Sequence, residues 1–161
     1  MNKAMLNRAL VLGENQSIAY KSTLEVHGLG LHVCAFLNSG GGYIVCGVEN
    51  SGETSGLVFD NAEIARLEKT LHAKISPKAL ISFEVNVLEG HQVLVIEVPS
   101  GKDIPYAFDN EIYIRKNERS MKADLDTIRD MVLRRQIEPE RWERRFSSAD
   151  IASDLSLEEV V

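Results

Sequence analysis

The stretch that most constrains this chain runs from Val33 to Val48, VCAFLNSGGGYIVCGV. Its first part continues a helical rhythm over Leu24 to Asn38, with Val26, Leu29, Val33, Ala35, Phe36 and Leu37 as the apolar positions and Thr23 as a suitable N-cap. Consecutive glycines at 40, 41 and 42 cannot prolong a helix, so it stops at Asn38-Ser39. The unbroken apolar run Tyr43 to Val48 then reads as a buried central strand. Gly28 and Gly30 each cost the helix up to about 1 kcal/mol relative to alanine, which implies a late start or close packing against another backbone.

Around this centre the remaining elements follow from periodicity. Met1 to Leu12 reads as a short helix or arm with Met5, Leu6, Ala9, Leu10 and Leu12 as its apolar stripe, and Ser17 to Ser22 as a first strand. Asn61 to Ala73 is a helix carrying Ile64, Leu67 and Leu71, ended by Ser76-Pro77. Leu80 to Leu88 and Gln92 to Val98 form a hairpin about Glu89-Gly90-His91. A strand over Glu111 to Lys116 and a helix from about Ala123 to Gln136 complete the order. The expected fold class is α+β, a mixed sheet with helices packed against it. Its expected core is Phe36, Ile44, Val45, Val48, Leu67, Leu71, Val93, Val95, Ile114 and Ile128.

With 161 residues and 44% hydrophobic content, one domain over residues 1–136 is expected, followed over 137–161 by a charged tail or linker leading toward a further domain. No secretory pattern opens the sequence, and no stretch approaches the roughly 20 apolar residues that span a bilayer, so a soluble, cytoplasmic chain is expected with no membrane partner. Cys34 and Cys46 read as small buried thiols, and His27, His32, His72 and His91 lack the spacing of a zinc site. Net charge is −6, so attraction for a polyanion must come from local clustering. From Tyr113 to Arg145 there are ten Lys/Arg against seven Asp/Glu.

Several of these pieces together resemble the Schlafen AlbA-like domain. They are Gly13-Glu14, Tyr20-Lys21-Ser22, the block from Val33 to Gly42, Tyr43 to Glu49 with Gly52 and Gly56, Val93 to Pro99, Pro105-Tyr106, and Tyr113-Ile114-Arg115 with Ser120. The resemblance covers about 13–136. It implies a DNA-binding or other nucleic-acid-binding domain of a transcription regulator. The residues expected to face phosphates are Lys21, Arg115, Lys116, Arg119 and Lys122, because arginine suits bidentate phosphate contact and lysine supplies a point charge. Ser120 is expected to cap the last helix, whose free N–H groups would support an anion. The glycines at 40–42 suit either a tight turn or a close phosphate.

Schlafen-type nucleases are similar but use three carboxylates to hold divalent metal. Carried over to this chain, Glu14 takes the first position and Glu49 the third, while Ala19 replaces the second and Asn50 a further acid. The expectation is therefore a domain without catalytic residues, metal or cofactor, with a degenerate nuclease as the alternative. Ser100-Gly101-Lys102 lacks the upstream glycine of a phosphate loop, and Asp103 stands where Ser or Thr would reach magnesium. A further alternative is an oligomerisation or partner-docking module, and a homodimer stays open.

Overall fold

The computed structural model describes residues 3–144. The chain divides into two units, Met1–Ala123 and Asp124–Val161.

In the first unit β1 (Ile18–Lys21), β2 (Gly42–Cys46), β4 (Ser82–Leu88) and β5 (His91–Val98) make one sheet of order β1-β2-β5-β4. β1 is parallel to β2, whereas β2–β5 and β5–β4 are antiparallel, so the sheet is mixed. The parallel step needs a crossover, and α2 (Val26–Asn38) supplies it. Alternate strand residues then face opposite ways. Ala19, Ile44, Cys46, Leu94 and Ile96 meet Leu29, Val33 and Phe36 of α2 together with Leu67 and Leu71 of α3 (Asn61–Lys74). On the other face Ile18, Tyr20, Val45, Val93 and Val95 meet Leu6 and Ala9 of α1 (Lys3–Leu12). Cover on both faces is why the β2 segment is apolar without alternation.

Two smaller pairings complete the unit. β3 (Ile75–Ser76) pairs with β6 (Ala107–Phe108), and β7 (Tyr113–Lys116) with β8 (Arg119–Lys122) as a hairpin. α2 begins at Val26, and its N-cap is Glu25, whose side chain makes no capping bond, so Thr23 does not cap it. Gly30 is a slot for a ring rather than for a backbone: a Cβ there would lie 2.1 Å from the Phe108 ring, which is fully buried. Gly41, at φ +82°, turns the chain where a Cβ would lie 2.8 Å from the Ser100 nitrogen, and its own N–H bonds the Phe36 carbonyl at 2.7 Å. The glycine turn thus has a backbone-packing reason of its own.

Of the expected core, Phe36, Ile44, Val45, Val48, Leu67, Leu71, Val93 and Val95 are buried. Ile114 is half-buried, because it shares the outer face of the hairpin with its cross-strand partner Met121. Ile128, also half-buried, belongs to the second unit. Met5 and Leu12 of the α1 stripe are exposed. Both cysteines are free and buried, and burial pushes the Cys34 thiol up to about 11 and that of Cys46 to about 12. Such thiols stay protonated at neutral pH.

In the second unit α4 spans Leu125–Arg144, past the expected end at Gln136 and through Pro139; Glu and Arg, good helix formers, dominate its last turns. Its N-cap is Asp124, whose Oδ1 accepts from the Thr127 N–H at 2.8 Å. Ser120, expected there, lies instead in β8. The end of the expected tail, residues 145–161, lies outside the described residues. Among the described residues no helix is long and apolar enough to cross a membrane.

Candidate nucleic-acid interface

The β7–β8 hairpin is tied to the sheet by polar side chains. Gln16 donates from Nε2 to the Arg115 carbonyl at 3.0 Å and accepts from the Asn117 N–H at 2.7 Å, so its amide imitates a neighbouring strand. Ser39 Oγ accepts from the Arg115 N–H at 2.9 Å. Asn38 Nδ2 donates to the Tyr113 carbonyl at 2.8 Å and the Tyr106 carbonyl at 3.0 Å, while its Oδ1 accepts from the Tyr106 N–H at 2.7 Å. The C-terminal end of α2 thereby holds both the hairpin and the loop before it.

Arg115 is the inner anchor and is only 4% exposed. Its Nη2 donates to the Ile18 and Asn15 carbonyls at 2.8 and 2.9 Å, and its Nη1 to Ser120 Oγ at 3.1 Å. The guanidinium lies 4.9 Å from the centre of the Phe36 ring. Burial lowers its pKa, and the carboxylates of Glu14 and Glu118 act in the opposite direction. So buried and so bonded, Arg115 supports the hairpin from within, while its Nε has no hydrogen-bond partner among the described residues.

The other four cations fall into separate places. Lys116 and Arg119 are direct cross-strand partners beside the hairpin turn, and both are exposed. Lys122 is exposed on the opposite hairpin face and pairs with Glu111 at 3.8 Å. Lys21, at the end of β1, is half-buried, with its Nζ beside Gly28 in the first turn of α2. Like charges directly opposite on a hairpin are destabilising by up to roughly 1 kcal/mol, so the Lys116–Arg119 juxtaposition is one that an anion between them would relieve.

Sequence reasoning passed over His32. Its Nδ1 lies 2.7 Å from Ser120 Oγ and 3.4 Å from Arg115 Nη1. A guanidinium only donates, so Nδ1 is the acceptor, the hydroxyl proton points to it, and the ring proton sits on Nε2. Burial, then Arg115, then Lys21 push the His32 pKa down to about 4. Gln16 and His32 carry no local sequence signal, because their partners lie 99 and 88 residues away. Asn38 and Ser39 were visible only as a helix stop.

The carboxylate positions are spread over different tasks. Glu14 Oε1 accepts from the Tyr20 N–H at 2.9 Å on the free edge of β1. Ala19 is wholly buried in the α2 face of the core, and Glu49 is exposed in the turn after β2. The Gly101 N–H bonds the Leu37 carbonyl at 2.9 Å, so the Ser100-Gly101 turn closes the end of α2.

A mixed sheet with a crossover helix, a glycine turn at its end and an anchored basic hairpin defines an α+β domain of AlbA-like type. The chain belongs to the Schlafen AlbA_2 family, whose profile matches residues 14–124. No curated protein matches it. Among solved structures it is similar to the DIP2311 protein of Corynebacterium diphtheriae, with 19% identity and a TM-score of 0.56. That likeness covers 68% of this chain but only 22% of the other, so the chain spans less than a quarter of that protein. It is also similar to the N-terminal domain of a protein from Nitrosomonas europaea named as related to the ATP-dependent DNA helicase RecG. There the identity is 20%, the TM-score 0.54, and the match covers 78% of this chain and 95% of that domain. At these identities the likeness concerns the fold.

Proposed function

We propose that this domain binds nucleic acid through its phosphates, as a non-catalytic regulatory module, with the β7–β8 hairpin leading. The observation that carries the reading is the exposed cross-strand pair Lys116–Arg119 on a hairpin held by Arg115 and Gln16. From Arg115 to Lys122 there are four Lys/Arg against one acid, in a chain of net charge −6. A protein of that balance meets a polyanion where its cations gather. Lys21 and Lys122 are the further contacts, and membership of the Schlafen AlbA_2 family, with a relative named for a DNA helicase, makes nucleic acid the first partner to test.

The non-catalytic part of the reading rests on Ala19, which fills a buried core position where the related nucleases carry a carboxylate, and on Glu14, which is engaged with the β1 edge. The test is a titration against single- and double-stranded DNA and RNA at two salt concentrations, with and without magnesium or manganese. The reading expects binding that weakens steeply with salt and leaves the nucleic acid intact. Metal-dependent cleavage abolished by Glu14→Gln would favour the nuclease, and no binding at low salt would favour a docking module.

A further inference from the structure

We infer that His32 and Lys21 form a second phosphate seat, at the half-buried face of α2 that carries Gly28, in which His32 acts as a neutral hydrogen-bond donor through Nε2. This inference rests on the nucleic-acid reading and names a contact within it. The relay Arg115 to Ser120 to His32 occupies Nδ1 and fixes the tautomer. Nε2, by contrast, has no hydrogen-bond partner among the described residues and keeps some exposed surface, although the ring as a whole is half-buried. An N–H donor held in one orientation by a buried arginine is pre-organised, so little ordering cost remains when an oxygen arrives.

Lys21 places its charge alongside. Gly28 precedes His32 by one helical turn on the same face, about 6 Å away between Cβ positions. A Cβ on Gly28 would lie 2.8 Å from Lys21 Nζ, so the glycine leaves room for the ammonium, which would have to shift beside any larger residue. The same Cβ would lie 3.0 Å from Glu25 Oε1. Glu25 is exposed and opposes an incoming phosphate, and no ion pair with it engages Lys21 among the described residues. The seat thus offers one fixed neutral donor and one cation, with the Glu25 carboxylate limiting its strength.

The experiment measures affinity and salt slope for fluorescent duplex and single-stranded oligonucleotides of mixed sequence. His32→Leu should weaken binding about three- to tenfold, the worth of one hydrogen bond, and leave the salt slope unchanged, because a neutral donor displaces no counterion. His32→Gln, which restores an N–H near the Nε2 position, should stay within about twofold of the parent. Lys21→Met should weaken binding and reduce the slope by about 0.9, and Glu25→Gln should strengthen binding about two- to fivefold. Parent-like binding by His32→Leu, or a slope reduced by it as by Lys21→Met, overturns the seat while leaving the hairpin reading intact. Absence of binding by the parent itself overturns both.

Discussion

Arg115 Nη2 donates to the Ile18 carbonyl at 2.8 Å across 97 residues of chain. Ile18 lies on β1, an edge strand, and that carbonyl faces away from β2. An unpaired strand edge is a liability. Here the Ile18 carbonyl accepts from the Asn15 N–H at 3.0 Å as well as from the guanidinium, and the Glu14 carboxylate covers the Tyr20 N–H at 2.9 Å, so one backbone bridge and two side chains close the edge. The bond also seats the hairpin that carries Lys116 and Arg119.

Replacing Arg115 by Met should therefore act on stability before it acts on binding. The loss of charge-assisted bonds to Ile18, Asn15 and Ser120 should cost roughly 2–4 kcal/mol in urea unfolding. Hydrogen exchange should show β7–β8 amides losing more protection than those of β4–β5. Equal loss in both, or none, would mean that the arginine does not hold the hairpin.

Gly30→Ala tests the slot for Phe108. A methyl group there meets a ring that is 1% exposed and cannot withdraw. The substitution should destabilise by about 1–3 kcal/mol, although alanine is the better helix former. Unfolding unchanged or shifted upward would show that the ring has room to move.

Stability should also fall in acid because of His32. Its pKa is about 4 in the fold against an ordinary 6.5, so between these values the unfolded chain holds a proton that the folded chain does not. Stability is then full above about pH 6.5 and declines as pH falls toward 4, by about 3 kcal/mol in all. Burial is the largest cause of the shift, followed by the charges of Arg115 and Lys21, all disfavouring the imidazolium. His32→Gln should flatten that part of the profile; an unchanged slope would place the proton uptake elsewhere.

The fold was open to sequence reasoning wherever periodicity and punctuation agree. The Phe36-to-Val48 block could only be helix, turn and buried strand, and α3, β4 and β5 stood out for the same reason. β8 was hidden because Arg119-Ser120-Met121-Lys122 is short, polar and half-exposed, so its pattern is no different from the start of a helix. The site was less open still. Arg115 and Lys116 are adjacent and alike in sequence, yet the alternation of β7 buries one and exposes the other, and the facing of that strand is a tertiary fact.

The most direct measurement is the salt dependence of nucleic-acid affinity for the parent and for the double variant Lys116→Ala/Arg119→Ala. On duplex DNA the parent's log–log slope should be about −3 to −4, for contacts by Lys21, Lys116, Arg119 and Lys122. The double variant should lose about two units of slope and weaken alike on all sequences, since phosphate contacts position without reading bases. A double variant that binds with the parent's affinity and slope would contradict the account, and the hairpin cations would then be ordinary solvated charge.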